Sequence, residues 1–328
     1  MLLDGRDNAS IVHAAALIAA GELVAFPTET VYGLGARADD DRAVARIYAA
    51  KGRPAGHPLI VHVAERADAA HFADAIPTVA ERLMDSFWPG PLTVIVRRLP
   101  GVATAAAGGH PTIGLRCPAH GVAHALLVAA RDAGVPGIAA PSANRFGRIS
   151  PTSAAHVVDE LGAELVVLDG GAARIGIESA IVDCSGAAPV LLRPGVLTTQ
   201  QIEDAAGVAL ASTSATSAST PAPGTLAAHY APRARLRLMT TELLRAALDM
   251  LGSEPLRLAV YSRSVPSGVA TGVAHRRMPA RPEQAAHELF SVLRELDFDG
   301  VHLIWVEEPP PGPEWDGVRD RLRRAAAA

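Results

Sequence analysis

The chain has 328 residues, 49% hydrophobic and 4% aromatic, a length and composition that predict roughly two domains with aliphatic, alanine-rich cores. A formal net charge of −4 argues against nucleic-acid binding by bulk electrostatics. Cys117 and Cys184 lie far apart with no Cys-x-x-Cys spacing, no apolar run reaches the ~18 residues of a membrane span, and "MLLDGRDNAS" carries no signal-peptide pattern, so neither a disulfide nor a zinc framework is expected and a cytoplasmic location is.

In chain order, Ser10 can cap a helix bearing Ile11, Ala14, Ala15 and Ile18, which Gly21 ends. The strand "ELVAF" follows and stops at Pro27. Asp40 or Asp41 starts a second helix with Val44, Ile47 and Tyr48 on one face; it ends at Gly52 and so puts Lys51 in its last turn. "PLIVHV" reads as a strand buried on both faces, "TVAERLMDSFW" as a helix, "LTVIVRRL" and "TIGLRC" as strands, and "GVAHALLVAARDAG" as a helix. "GIAAPSAN" runs from strand into loop, and Ser150-Pro151 reads as a helix start. Strands "ELVVLD", "SAIVDC" and "VLLRPG" complete a mixed α/β domain.

Residues 211–224, "ASTSATSASTPAPG", have no hydrophobic period and predict a flexible linker. Beyond it, "ARLRLM", "RLAVYS" and "VHLIWVE" alternate with helical runs near 241–251, 283–296 and 317–327, the pattern of a small Rossmann-like domain with a parallel sheet. No G-x-G-x-x-G follows its first strand, which speaks against a dinucleotide site there. The expected division is 1–207, a linker or lid over 208–233, and 234–328.

The residues that interrupt these apolar runs carry the chemistry. "FPTETVYGLGARADD" is a hydroxyl- and glycine-rich loop in which Thr30 and its neighbours can approach a polar ligand, or simply form a turn. Lys51 is the only lysine in the chain, followed by Arg53, His57 and His62. A site that holds a polyphosphate with a compact ammonium beside a planar guanidinium explains why arginine has not replaced it; a solvated helix end is the plain alternative. His62, mid-strand in an apolar run, is either a satisfied core histidine or part of a site. Thr112 and Arg116 share one face of a strand, and an arginine leaving a buried strand needs an anion, from a structural carboxylate or from a substrate. "APSANRFGRISPT" sets Ser142 and Asn144 (one of two asparagines) before a helix start at Ser150–Thr152, a pattern suited to phosphate. Ser179 and Arg193 stand at two further strand ends, where ligands bind in open sheets.

Taken in order, "FPTETVYGLG", "KGRP", "HPLIVHV", "FWPGPLT", "APSAN…SPT", "GIESAIVD" and "LRPG" resemble the YrdC-like catalytic domain of threonylcarbamoyl-AMP synthases over residues 10–198. "PGTLAAHYAPRA" and "VRDRLRRAA" are similar to the linker and last helix of the two-domain form of that family. The resemblance implies a twisted mixed-sheet domain that makes threonylcarbamoyl-AMP and diphosphate from ATP, L-threonine and bicarbonate. The product would pass to a tRNA threonylcarbamoyl transferase machinery that makes N6-threonylcarbamoyladenosine. By motif position it implies threonine contacts at Thr30, His62, Arg116, Ser142 and Ser179. It implies ATP contacts at Lys51, Arg53, His57, Thr112, Asn144, Thr152 and Arg193, with Tyr230 reaching back from the linker and Lys51 and Arg53 acting in catalysis. Mg²⁺ is implied with the nucleotide, without dedicated protein ligands, and neither membrane attachment nor tight nucleic-acid binding is expected. Departures from the family pattern fall at Phe146, at Leu226-Ala227-Ala228 and at "EWDG" near the C-terminus.

Two other functions fit parts of the pattern. An RNA-binding module would present a basic concave face, but no aromatic stacking platform is evident. A carbamoyl-transfer domain of the hydrogenase-maturation type shares the fold but is expected with zinc-finger and acylphosphatase-like neighbours.

Overall fold

Short strands bury little surface singly, so the apolar runs of the first 200 residues meet their burial by pairing side by side. A computed structural model of the chain describes residues 1–212, 222–251, 257–265, 273–298 and 300–328. Among them, β1 (Leu2–Asp4), β2 (Val24–Phe26), β3 (Gly33–Arg37), β4 (Ile60–His62), β5 (Ala73–Ala75), β6 (Leu92–Arg98), β7 (Thr112–Arg116), β8 (Ile138–Ala139), β9 (Val166–Asp169), β10 (Ala180–Asp183) and β11 (Val190–Arg193) form an 11-stranded sheet. Its order is β1-β9-β2-β3-β8-β4-β7-β6-β10-β11, with β5 on β6. Parallel pairs such as β4–β7 alternate with antiparallel ones such as β6–β7, which is the mixed α/β architecture expected.

Helices α1 (Asn8–Ala19), α2 (Asp41–Lys51), α3 (Thr78–Phe87), α4 (Gly121–Asp132), α5 (Ala154–Leu161) and α6 (Thr199–Ala206) accompany this sheet. Two helix starts differ from the sequence reading. α1 is capped by Asp7, whose carboxylate accepts from the Ala9 and Ser10 amides, so Ser10 lies inside the helix. α5 starts at Ala154 under a Ser153 cap rather than at Ser150-Pro151, because the Ser150 hydroxyl is committed to Glu178. β3 is a strand where a loop was expected: Gly35 lets it lie against β2, since an added Cβ would sit 2.8 Å from Phe26 and 2.9 Å from Ile138.

The remaining residues form a four-stranded sheet of β12 (Arg235–Met239), β13 (Leu258–Ser262), β14 (Ala274–Arg277) and β15 (Leu303–Glu307), in the order β12-β15-β13-β14. Each of its pairings is parallel, as expected, although β14 had no clear sequence signal. Helix α7 (Thr241–Asp249) packs Leu244 and Leu248 with Leu258 and Val260. Helices α8 (Pro282–Leu296) and α9 (Asp316–Ala326) pack with Leu236, Ala259 and Ile304 in a cluster that also takes in Val31, Ile149, Ile177 and Tyr230. One apolar core therefore spans both halves of the molecule. Residues 213–221, most of the expected linker, lie outside the described residues. Among the described residues no helix is long and apolar enough to cross a membrane.

Candidate active site

The strands that carry the polar interruptions end around one cavity. β4 and β7 run parallel in a register that pairs His62 with Arg116. β8 leads into Ser142, which bridges back to Gly33, and β11 ends at Arg193, opposite Ile181 of β10. A cavity of ≈ 50 Å³ lies between these ends, walled by Thr28, Arg53, His62, Arg116, Ser142, Glu178 and Arg193 and by Gly224, His229 and Tyr230 of the returning chain.

Lys51 stands behind this wall rather than in it. Asp40 caps α2, Gly52 ends it at φ 63°, and the lysine of the last turn is only 4% exposed. Its ammonium donates to the Ser142 carbonyl at 2.6 Å and to the Asn144 carbonyl. Burial, with Arg53 nearby, pulls the amine down to about 7, while the charges of Glu160 and Glu178 favour its charged form. The side chain thus fixes the loop after β8 from below. Arg53 donates to the Pro58 carbonyl at 3.0 Å and lies over the Phe146 ring at 5.5 Å. His57 meets that ring edge-on, so Phe146 packs against two of the expected ATP contacts.

His62 is 4% exposed and its Nδ1 has no partner. Burial, reinforced by Arg116, pushes it down to about 3, so it is neutral at physiological pH. Arg116 donates from Nε to the Gly90 carbonyl at 3.3 Å, and its Nη2 lies 2.7 Å from Glu29 Oε1. The ion pair is off the line of a hydrogen bond, which leaves Nη2 and both Glu29 oxygens with unused capacity. The structural carboxylate is therefore present, and room for a second anion is left. Ser179 shares its hydroxyl with Thr93 at 2.8 Å and Arg193 at 3.2 Å, and Arg193 Nη1 donates to the Pro223 carbonyl at 2.9 Å.

Of the residues singled out in the sequence, Arg53, His62, Arg116, Ser142, Arg193 and Tyr230 meet in the wall. Lys51, Thr30, Asn144 and Ser179 support it from behind: Thr30 bonds Thr28 at 2.8 Å, and the Asn144 amide donates to the Arg145 and Arg148 carbonyls. Thr112 begins β7, at the end of the strand away from Arg116. The Thr152 hydroxyl faces the second sheet's helices, 2.9 Å from Ser291 of α8. The sequence reading missed Glu29, Glu178 and Arg321. The first two sit inside recognised motifs but were overshadowed by their hydroxyl neighbours. Arg321 had a readable signal, a charge within the buried stripe of Val318, Leu322 and Ala325.

The cavity closes on a strained residue. Tyr230 adopts φ 64° although it is not glycine. It is held by Phe290 at 5.4 Å between centroids, by Arg321 at 5.5 Å and by His229 at 4.2 Å. Burial pushes the His229 imidazole down to about 3, with Glu178 opposing and Arg53, Lys51 and Arg193 assisting.

Two sequence profiles match consecutive parts of the chain. The family described as "Telomere recombination" covers residues 16–195, and that described as "Threonylcarbamoyl-AMP synthase, C-terminal domain" covers 197–327. The threonylcarbamoyl-AMP synthase of Pyrococcus abyssi is 39% identical over 325 residues, 95% of this chain and 93% of its own length. The chain belongs to the threonylcarbamoyl-AMP synthase family. The threonylcarbamoyl-AMP synthase of Bacillus subtilis is 38% identical over 98% of this chain and 94% of its own. A crystal structure of Pyrococcus abyssi Sua5 complexed with L-threonine superposes with a TM-score of 0.87 at 37% identity, covering 98% of this chain and 95% of that one. In this chain the two profiles meet just ahead of α6, yet Ile202 and Ala206 of α6 pack into the core of the first sheet.

Proposed function

We propose that this enzyme forms threonylcarbamoyl-AMP and diphosphate from ATP, L-threonine and bicarbonate or CO₂. The observation that carries the reading is the cavity that gathers the guanidiniums of Arg53, Arg116 and Arg193 beside a neutral His62. Arg116, with an unused N–H beyond Glu29, suits the threonine carboxylate, and His62, Thr30, Ser142 and Ser179 surround that end. Arg53 and Arg193 suit the phosphates, with His57, Thr112, Asn144 and Thr152 as further nucleotide contacts. Lys51 serves by setting the Ser142–Asn144 carbonyls.

The threonine amine takes up CO₂ to give a carbamate and release a proton. A carbamate oxygen then attacks the α-phosphorus in line, and the bond to the diphosphate leaving group breaks. No covalent enzyme intermediate is needed, so positioning and charge stabilisation supply the rate. Mg²⁺ belongs to the nucleotide substrate in this reading, since the cavity's carboxylate, Glu178, is already committed to Ser150 and Arg321.

A cavity of ≈ 50 Å³ falls far short of the roughly 300–1,000 Å³ of small-molecule sites. Residues 222–230 contribute Pro223, Gly224, His229 and Tyr230 to the wall, a position from which they would make room for ATP and shield the mixed anhydride from water. This supports a division into a catalytic domain (1–207), a lid segment (208–233) and a second domain (234–328). The product's place is upstream of a cytoplasmic transfer of the threonylcarbamoyl group to tRNA adenosine. Diphosphate release from ATP tests the reading. It is expected to require both L-threonine and bicarbonate, and equal release without threonine would overturn it.

A further inference from the structure

Helix α9 buries an arginine in the middle of its apolar stripe. Arg321 has no exposed surface, and its guanidinium reaches out of the second sheet's layer into the wall of the cavity. Nε donates to Glu178 Oε2 at 2.9 Å, Nη2 to the Glu178 carbonyl at 3.1 Å, and Nη1 to the Pro194 carbonyl at 2.7 Å. Asp320 Oδ2, 2.9 Å from Nη1, completes the set, and the guanidinium lies over the Tyr230 ring. The approach is built into the backbone: a Cβ on Gly317 would stand 2.4 Å from the Gly195 carbonyl oxygen.

Glu178 is the one acidic side chain in the described wall of the cavity. Its charge is felt at Lys51, Arg193, His229 and Tyr230. A bare carboxylate there would repel a triphosphate strongly, because Glu178 is buried and charges a few ångströms apart interact there through a lower effective dielectric than water's. Ser150 satisfies one oxygen without altering the charge; the nearest countercharge is Arg321 of α9, with Arg193 of the first domain acting on the same carboxylate from farther off.

We propose that the second domain takes part in nucleotide binding by supplying Arg321, a positioning residue that neutralises Glu178 and steadies Tyr230 over the cavity. The proposal rests on the ATP-dependent reading above. It gives the second domain a defined role, because the nearest countercharge to Glu178 is in place only while α9 is docked. By linkage, nucleotide binding and domain docking then strengthen each other by the same factor.

The test is a double-variant cycle on the full chain, read as the dissociation constant for ATP by calorimetry. Arg321→Ala is expected to weaken ATP binding at least about tenfold. Adding Glu178→Gln to it removes the charge that needed balancing, and is expected to restore affinity to within about threefold of the parent. A merely structural role for Arg321 would lower the urea midpoint of Arg321→Ala, and Glu178→Gln would restore it, while the ATP dissociation constant of the folded protein stayed unchanged throughout. Unchanged binding by Arg321→Ala, or a double variant as weak as the single one, overturns the proposal. Should circular dichroism show Arg321→Ala unfolded, Arg321→Met with Glu178→Gln replaces it, and failure of that folded pair to bind ATP is equally fatal. Absence of ATP binding by the parent chain, measured first, would instead overturn the functional reading itself.

Discussion

Glu29 and Arg116 are 1% and 4% exposed at the side chain, so neither charge has water to fall back on. Replacing Glu29 with leucine should cost about 3–5 kcal/mol of stability, because it strands a buried guanidinium. Urea denaturation checks this, and an unchanged midpoint would mean Arg116 finds another anion. Lys51→Arg keeps the charge but asks a planar fork to fit between two carbonyls that a compact ammonium reaches from below. Diphosphate release by that variant is expected to fall at least about tenfold, and a rate equal to the parent's would show that the Ser142–Asn144 loop does not depend on Lys51. At this scale the sequence was informative where residue type was rare. A lone lysine and an arginine on a buried strand both announced a polar demand. The partners did not announce themselves, since Glu29 and the Ser142 carbonyl are brought to them only by the order of strands in the sheet.

The elements show where local signals lose to tertiary ones. Ser150-Pro151 has the chemistry of a helix start, but a hydroxyl engaged by a buried carboxylate cannot also cap, and the next serine takes over. β3 reads as a glycine loop because its glycines answer to close neighbours rather than to a turn. The apolar elements that the hydrophobic period picks out were legible because their stripes are long, whereas β1, β5 and β14 are three or four residues each and lack a period to detect. The docking of α9 is also an element-scale property. Gly317→Ala places a methyl against the Gly195 carbonyl and Ile177, and overpacking of this kind costs about 1–3 kcal/mol. The expected result is a lower melting temperature together with weaker ATP binding. A lower melting temperature with ATP affinity intact would separate the helix from the cavity.

Across the whole molecule, one apolar cluster joins the two sheets through Val31, Ile149, Ile177 and Tyr230, and buried histidines line the cavity at the strand ends of the first sheet. His62 and His229 both titrate near 3 rather than 6.5. Between those values the unfolded chain binds protons that the folded chain refuses. Their contribution to stability is therefore complete above about pH 6.5 and is lost as pH falls toward 3. Urea midpoints measured from pH 7.5 down to 4 should decline, and His229→Leu should make the decline shallower; parallel slopes would contradict the assignment. The sequestered Lys51 has a further consequence, for chemical labelling. As the chain's only ε-amine, 4% exposed beneath the cavity floor, it is shielded from acylating reagents while the floor stays shut. Mass spectrometry of acylated Lys51 against time then reports how often the Ser142–Asn144 loop lifts. ATP with threonine should slow that clock, and labelling at the same rate with and without them would mean the floor opens independently of what the cavity holds.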